Sequence, residues 1–516
     1  MNANLFESLR RFADEAPDRL ALIHRGRVLT YGDFRIHVER RAAELRRRGV
    51  GKGDRVVLFV PMGIALYEIL LAVFAIGAVA VFLDAWADPK RLNYAAELAE
   101  AKAFIAIPKA YLLLLKSRAL RRIPVRCLPG FGLKRAAVDF KPAECRPDDP
   151  ALITFTTGST GVPKAALRTC GFLLAQHVAL TASLDVRTGD VDLATLPIFA
   201  LNNLACGVST LIPDFNPAKP AEIDPERIAA EARRVGVTTT AGSPAFYRRL
   251  AEASHGTNPI PTLRALHVGG AAVFPAFAAE LSAAFSGTHV SAVYGSTEVE
   301  PIASIAAEEL ASATDLALGI PAGTVNRFLD LAIVRLDAKV EHEMSEADWQ
   351  TALAAPGMPG EICVAGDHVL TTYYRNPEAV RTNKIRVGGR IYHRTGDAGR
   401  LVDGKLFLLG RASRVFRTTS GVWCYPALVE QALEGLVSST AGTVVRAADG
   451  RAVLVLESDD PAAAAAEAAR LDPVRVPHDE VRVVAHIPRD PRHASKIDYG
   501  AIEIRPNSNS SKSVLK

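Results

Sequence analysis

Cysteine is scarce and scattered. Six residues, Cys127, Cys145, Cys170, Cys206, Cys363 and Cys424, are spread over a 516-residue chain with no CxxC pair and no Cys/His ligand spacing. That argues against a structural zinc and against a disulfide framework, and it predicts a reducing, cytoplasmic setting. The N-terminal "MNANLFESLRRFADEAPDR" lacks the apolar core of a signal peptide. A strong excess of one charge is lacking too. The formal net charge is only +5, so no nucleic-acid partner is expected. Basic clusters such as "ERRAAELRRRGVGKGDR" and "LRRIPVR" sit beside apolar helical positions and read as solvated helix faces. Internal repeats are absent.

One apolar run imitates a membrane span: "VVLFVPMGIALYEILLAVFAIGAVAVFLDAW", from Val56. Pro61 and Gly63 break it, Glu68 interrupts it, and Gly77 precedes a second β-like run. Strand–helix–strand inside a parallel α/β core explains it better, so no membrane span is expected. Two nucleotide signatures are missing as well. No stretch has the Walker pattern GxxxxGK followed by Ser or Thr, and no strand-linked GxGxxG precedes a ribose-binding acid.

What is present is alternation. "GVTTTAGSP" is followed by "AFYRRLAEAS", and "LRALHVGG" by "FPAFAAELSAAF". Buried β-like runs alternating with amphipathic helical runs predict an α/β fold with largely parallel sheets. From about Gly357 the texture becomes short strands with Gly/Asp turns. The expected organisation is a large N-terminal domain over 1–410, with a β-rich subdomain over 357–410. A small, mobile α+β C-terminal domain follows over 411–504. The polar tail 505–516 reads as disordered.

The strongest local signal is "TFTTGSTGVPKAALRT", Thr154 to Thr169. Thr156, Thr157, Ser159 and Thr160 supply short donors. Gly158 and Gly161 let the backbone approach a ligand, and Lys164 is a point charge suited to phosphate. An apolar β-prone run precedes it and apolar positions at helical spacing follow. The predicted context is strand, loop, helix, where a helix N-terminus can face an anion.

Other stretches occur with it in a telling order. They are "LPIFALNNLACG", "LHVGGAAVFP", "AVYGSTEVEP", "YHRTGDAG", "GRASRV" and "PRDPRHASKIDY". From "LTYGDF" to "SKIDY" the chain resembles the adenylate-forming superfamily of acyl-CoA synthetases, luciferases, nonribosomal-peptide adenylation domains and β-lactone synthetases. The resemblance implies that the Thr156–Lys164 loop grips the outer phosphates of ATP. It implies that Phe199, Ala200, Gly269, Gly270 and Ala271 wall the acyl group, with Gly269 and Gly270 also beside adenine. Tyr294 would stack near adenine, Thr297 would contact the α-phosphate, and Glu298 would bind Mg²⁺. Asp397 would accept from the ribose hydroxyls and Arg411 would reach ribose or phosphate. Ser413 would be the domain pivot, and Lys496 would bridge the attacking carboxylate and the α-phosphate. His393 and His493 read as structural or solvent residues.

The implied activity is ATP- and Mg²⁺-dependent activation of a carboxylic acid as an acyl-adenylate, then transfer to CoA or an acyl-carrier protein. Small apolar residues in "PIFAL" and "GGAA" favour a fatty or otherwise apolar acid, and no acid stands ready for an α-amine. Some positions depart from the family pattern. Ala165 and Ser413 replace the usual Gly and Asp/Lys. Arg417 stands near the usual lysine of CoA ligases, and Ala200 follows Phe199 where many carry an aromatic–His pair. "AVAVFLDAW", "PIFAL", "GSPA" and "RHASKI" are more similar to bacterial β-lactone synthetases of olefin biosynthesis, whose substrate hydroxyl displaces AMP. A nucleotide-binding pseudoenzyme is the reading from another class; the retained Thr297, Glu298, Asp397 and Lys496 argue against it.

Overall fold

The computed structural model describes residues 2–83, 89–134, 139–157, 163–313, 317–433, 436, 438–473, 475–489, 497–499 and 501–502. The fold is α/β; its described strands form two large sheets and two small ones, one of them the two-stranded pair Phe416–Arg417 and Trp423–Cys424. The first large sheet has six strands in the order Val125–Cys127, Ala103–Ala106, Arg55–Phe59, Val79–Phe82, Pro150–Thr157, Pro163–Thr169. All its pairs are parallel except the last. The membrane-like run resolves here into Arg55–Phe59, the helix Ile64–Ala75, and Val79–Phe82. Nearly every residue of that helix is buried, which explains why it is apolar all round apart from Glu68, whose carboxylate pairs with buried Arg41. Among the described residues, no helix is long and apolar enough to cross a membrane.

The second large sheet changes character along its width. Leu20–His24, Ser209–Leu211, Val191–Ala194, Thr239–Gly242, Ala265–Gly269 and His289–Ser296 run parallel. From Val299–Ala306 onward the pairs are antiparallel, through Ile320–Val325, Lys405–Arg411, Arg390–Val402 and Gly360–Ala365. Most residues of the parallel strands are buried, as expected for strands covered on both faces. The antiparallel part begins upstream of residue 357, where the sequence texture changes.

A third sheet holds Ala441–Arg446, Ala452–Glu457 and Glu480–Val484. It packs with the helices Pro426–Leu433 and Pro461–Ala468 around Val429, Leu433, Leu454 and Ala464.

One local expectation is corrected. The Gly-rich loop does not lead into a helix. Pro163–Thr169 folds back antiparallel on Pro150–Thr157, with Thr156 opposite Lys164 and Thr157 opposite Pro163. The helix starts only at Cys170, where the Thr169 hydroxyl accepts from the Phe172 N–H at 3.1 Å. The order is strand, loop, strand, helix. Pro163 fits the first position of a strand, where a missing N–H is tolerated.

Candidate active site

The hairpin decides which way the loop's residues point. Side chains alternate across a strand, so Lys164 and Arg168 share one face and Ala165 and Leu167 the other. Ala165 is fully buried with Ile153, Val81 and Phe104. Its methyl lies in the core behind the hairpin, away from the face that carries Lys164. Ser159 and Thr160 lie outside the described residues, as does Lys496. Thr156 and Thr157 are placed by their backbone pairing alone.

Arg168 ties the two large sheets together. One guanidinium nitrogen donates to Thr154 Oγ1 at 2.8 Å and another to the Thr297 carbonyl at 2.7 Å. That carbonyl belongs to the tight turn between His289–Ser296 and Val299–Ala306, which carries Thr297 and Glu298. Thr297 is exposed and Glu298 half-buried. The segment 369–374 closes the junction from a third side. Leu370 N–H donates to the Glu298 carbonyl at 2.7 Å, and Tyr374 N–H donates to the Ala165 carbonyl at 2.7 Å.

Tyr373 sits at the centre of this junction. Its hydroxyl donates to Glu298 Oε1 at 3.1 Å. Lys164 Nζ lies 5.7 Å and Lys384 Nζ 5.2 Å from its ring centroid. Lys164 Nζ also donates to Asn383 Oδ1 at 3.2 Å. Lys384 is fully buried, and its ammonium donates to the Leu370 carbonyl. Burial pushes Lys384 down to about 7; Glu298 opposes that shift and Lys164 adds to it. Burial also lowers Lys164, against the attraction of Glu298. Burial raises Glu300 to about 7, with Arg168 opposing. His393 is buried, held at Nδ1 by the Asn383 carbonyl at 3.2 Å, and burial keeps it well below its usual value.

A second group stands beside the first. Tyr294 hydroxyl donates to Asp397 Oδ2 at 2.7 Å, and Arg411 pairs with Asp397 Oδ1 at 3.1 Å. Asp397 and Arg411 face each other across adjacent antiparallel strands. Burial, then the Asp397 charge, holds the Tyr294 phenol protonated far above its usual range. Gly269 ends the neighbouring strand, and a Cβ there would meet the Val293 carbonyl at 2.6 Å. Gly270 adopts φ +81°, which side chains rarely take. Ala271 follows, half-buried. Phe199 and Ala200 are buried in the main core cluster on the helix Pro197–Cys206. Ser413 is exposed in a single 3₁₀ turn, Ala412–Arg414, directly after Arg411.

The sequence motifs thus account for Lys164, Tyr294, Thr297, Glu298, Asp397 and Arg411, which the fold gathers at one end of the sheets. They miss Arg168, Tyr373, Asn383 and Lys384. Arg168 was accessible in principle, since strand alternation from Lys164 points to it. The others come from a stretch whose only outward sign is "TTYYRNPEAVRTNKI".

The arrangement suits a nucleotide. Lys164 and Arg168 share one face of the hairpin, Asp397 lies between Tyr294 and Arg411, and Glu298 sits among Lys164, Arg168 and Lys384, with Glu300 also beside Arg168. The donor set fits Mg²⁺, which takes few protein carboxylates and completes its shell with phosphate oxygens and water. Among the described residues no cluster of three metal-binding side chains competes with that reading.

The family model for the AMP-binding enzymes matches residues 9–374, and the chain belongs to that family. It is an AMP-forming, acid-activating ligase. It is 32% identical over 474 residues to an olefin beta-lactone synthetase of Stenotrophomonas maltophilia (strain K279a), covering 85% of this chain and 84% of that one. It is 28% identical to a feruloyl-CoA synthase of Amycolatopsis sp, covering 86% and 85%. Its fold superposes on ATP-bound MatB from Rhodopseudomonas palustris with a TM-score of 0.79 at 23% identity, covering 97% of this chain and 98% of that one.

Proposed function

We propose that this chain converts an apolar carboxylic acid to its acyl-adenylate, using ATP and Mg²⁺, and that the adenylate then closes on the substrate's own β-hydroxyl. The observation that carries the first half is the junction of Lys164, Tyr373 and Glu298 beside the Tyr294–Asp397–Arg411 group. In this reading Asp397 accepts from the ribose hydroxyls, held in place by Tyr294 and Arg411. The loop with Thr156, Thr157, Ser159 and Thr160 holds the outer phosphates together with Lys164. Glu298 holds Mg²⁺, kept in position by Tyr373, and Thr297 offers its hydroxyl to the α-phosphate. Bound Mg²⁺ neutralises phosphate charge. Gly269, Gly270 and Ala271 leave room for adenine and the acyl group. Phe199 and Ala200 back that wall from the core.

The chemistry needs no enzyme nucleophile. A substrate carboxylate oxygen attacks the α-phosphorus, and the bond to pyrophosphate breaks. Both reactants are anions, so fixed cations reduce their repulsion. Lys496, from the small domain 411–504, supplies the bridging charge, and Ser413 is the pivot that delivers it. In the second half the β-hydroxyl oxygen attacks the acyl carbon, the hydroxyl proton is released, and AMP leaves.

Sequence motifs alone point first to CoA or an acyl-carrier protein as acceptor. The likeness to two olefin beta-lactone synthetases, both at 32% identity, weighs towards ring closure. Transfer to CoA or a carrier is the second reading, favoured by likeness to a feruloyl-CoA synthase and to a fatty acid–acyl-carrier-protein ligase at 27% identity. Incubation with ATP and a panel of fatty and β-hydroxy fatty acids, with and without CoA, separates them by product mass. A β-lactone formed without CoA supports the proposal. Acyl-CoA formed only when CoA is added supports the second reading.

A further inference from the structure

The run "YLLLLKSRALRRIPVRCL" faces two ways. It forms a 3₁₀ turn, Pro108–Leu112, and two short helices, Leu113–Lys116 and Arg118–Arg121, then the edge strand Val125–Cys127 of the six-stranded sheet. Leu113 and Leu114 pack against the core that contains Leu92, Phe104 and Leu120. Leu112 and Leu115 point outward, 61% and 74% exposed, and Leu128 beyond the strand is 52% exposed. Core packing explains the first two leucines and leaves the others in water.

Lys109, Lys116, Arg118, Arg121, Arg122 and Arg126 are all exposed in the same stretch of chain. Between Glu100 and Asp139 the chain has nine lysines and arginines and no acid, whereas the whole chain nets only +5. Arg126 donates to the carbonyls of Ile123 and Arg121, and none of the six pairs with a described carboxylate. The helix Pro89–Ala99, packed alongside through Asn93, adds Tyr94 at 38% exposure and one acid, Glu97.

We propose that this face is a docking surface for an anionic lipid bilayer. Exposed leucines interspersed with cations are the composition of an interfacial, non-spanning membrane contact. The apolar side chains enter the acyl boundary while Lys and Arg meet lipid phosphates. A nucleic acid would engage the cations and has no use for Leu112 and Leu115. The inference stands apart from the choice of acceptor above.

Co-sedimentation of the full chain with vesicles tests it, comparing phosphatidylglycerol/phosphatidylcholine mixtures with phosphatidylcholine alone. The chain should pellet with the anionic vesicles and stay in solution with the neutral ones. L112S/L115S should weaken that binding about tenfold, and R121E/R122E at least about tenfold. All four positions are exposed, so the melting temperature and the ATP–pyrophosphate exchange rate should match wild type. Absence of pelleting with anionic vesicles would overturn the proposal. So would pelleting lost on charge reversal but unchanged in L112S/L115S, which is electrostatic adsorption alone. Binding of a DNA duplex in place of vesicles would overturn it as well.

Discussion

The Tyr373 hydroxyl donates to the Glu298 carboxylate at 3.1 Å, with the amines of Lys164 and Lys384 5.7 and 5.2 Å from the ring centroid. This contact holds the carboxylate proposed to bind Mg²⁺. A hydrogen bond to a charged group contributes about 1.5–3 kcal/mol. Tyr373→Phe should therefore slow ATP–pyrophosphate exchange about tenfold or more and raise the Mg²⁺ concentration for half-maximal rate. Its melting temperature should stay near wild type, because the ring's packing is kept.

Lys384 yields a prediction on stability. Its amine is fully buried and lowered to about 7, from an ordinary 10.5. Between those values the unfolded chain binds a proton that the folded chain does not, so this group makes stability rise with pH across that window. Below pH 7 the folded protein bears the full cost of a buried charge. Lys384→Met should be more stable than wild type at pH 6, with the gap closing towards pH 10. Urea unfolding at several pH values reads this directly.

Glu300 runs the other way. Burial raises it to about 7 from 4.5, so the folded state holds a proton in that window and stability falls as pH rises through it. Glu300→Gln should gain on wild type between pH 4.5 and 7 and keep that gain above. An equal difference at pH 4.5 and pH 8 would contradict the assignment.

Arg168 links the Gly-rich hairpin to the Thr297 turn through two hydrogen bonds, and it is buried. Arg168→Ala should cost about 3 kcal/mol, since it removes charge-assisted bonds and leaves Glu300 without its cation. Exchange activity should fall with it. Arg168→Lys should recover stability only in part, because one ammonium cannot span both sheets.

Much of the architecture was readable in the chain. Pro61, Gly63 and Gly77 mark Arg55–Phe59, Ile64–Ala75 and Val79–Phe82 correctly, because breakers and β-branched runs act locally. "AVLVLES" and "YPALVEQALEGL" likewise became a strand and a helix of the small sheet unit. The hairpin after the Gly-rich loop was hidden. "PKAALRT" owes its strand to pairing with Pro150–Thr157, and periodicity alone does not separate it from the helix that follows. Tyr373 and Lys384 were hidden for a different reason. A lone lysine reads as surface, and long-range contacts such as those of Leu370 and Tyr374 with Glu298 and Ala165 fold that segment under the site.

In the proposed reaction, adenylation of the substrate carboxylate depends on Glu298. The most direct measurement is ATP–pyrophosphate exchange by the full chain, with and without a β-hydroxy fatty acid, in wild type and in Glu298→Gln. The predicted result is exchange that requires both the acid and Mg²⁺, with a loss of at least about a hundredfold in Glu298→Gln. Exchange independent of the acid, or equal in the two proteins, would contradict it.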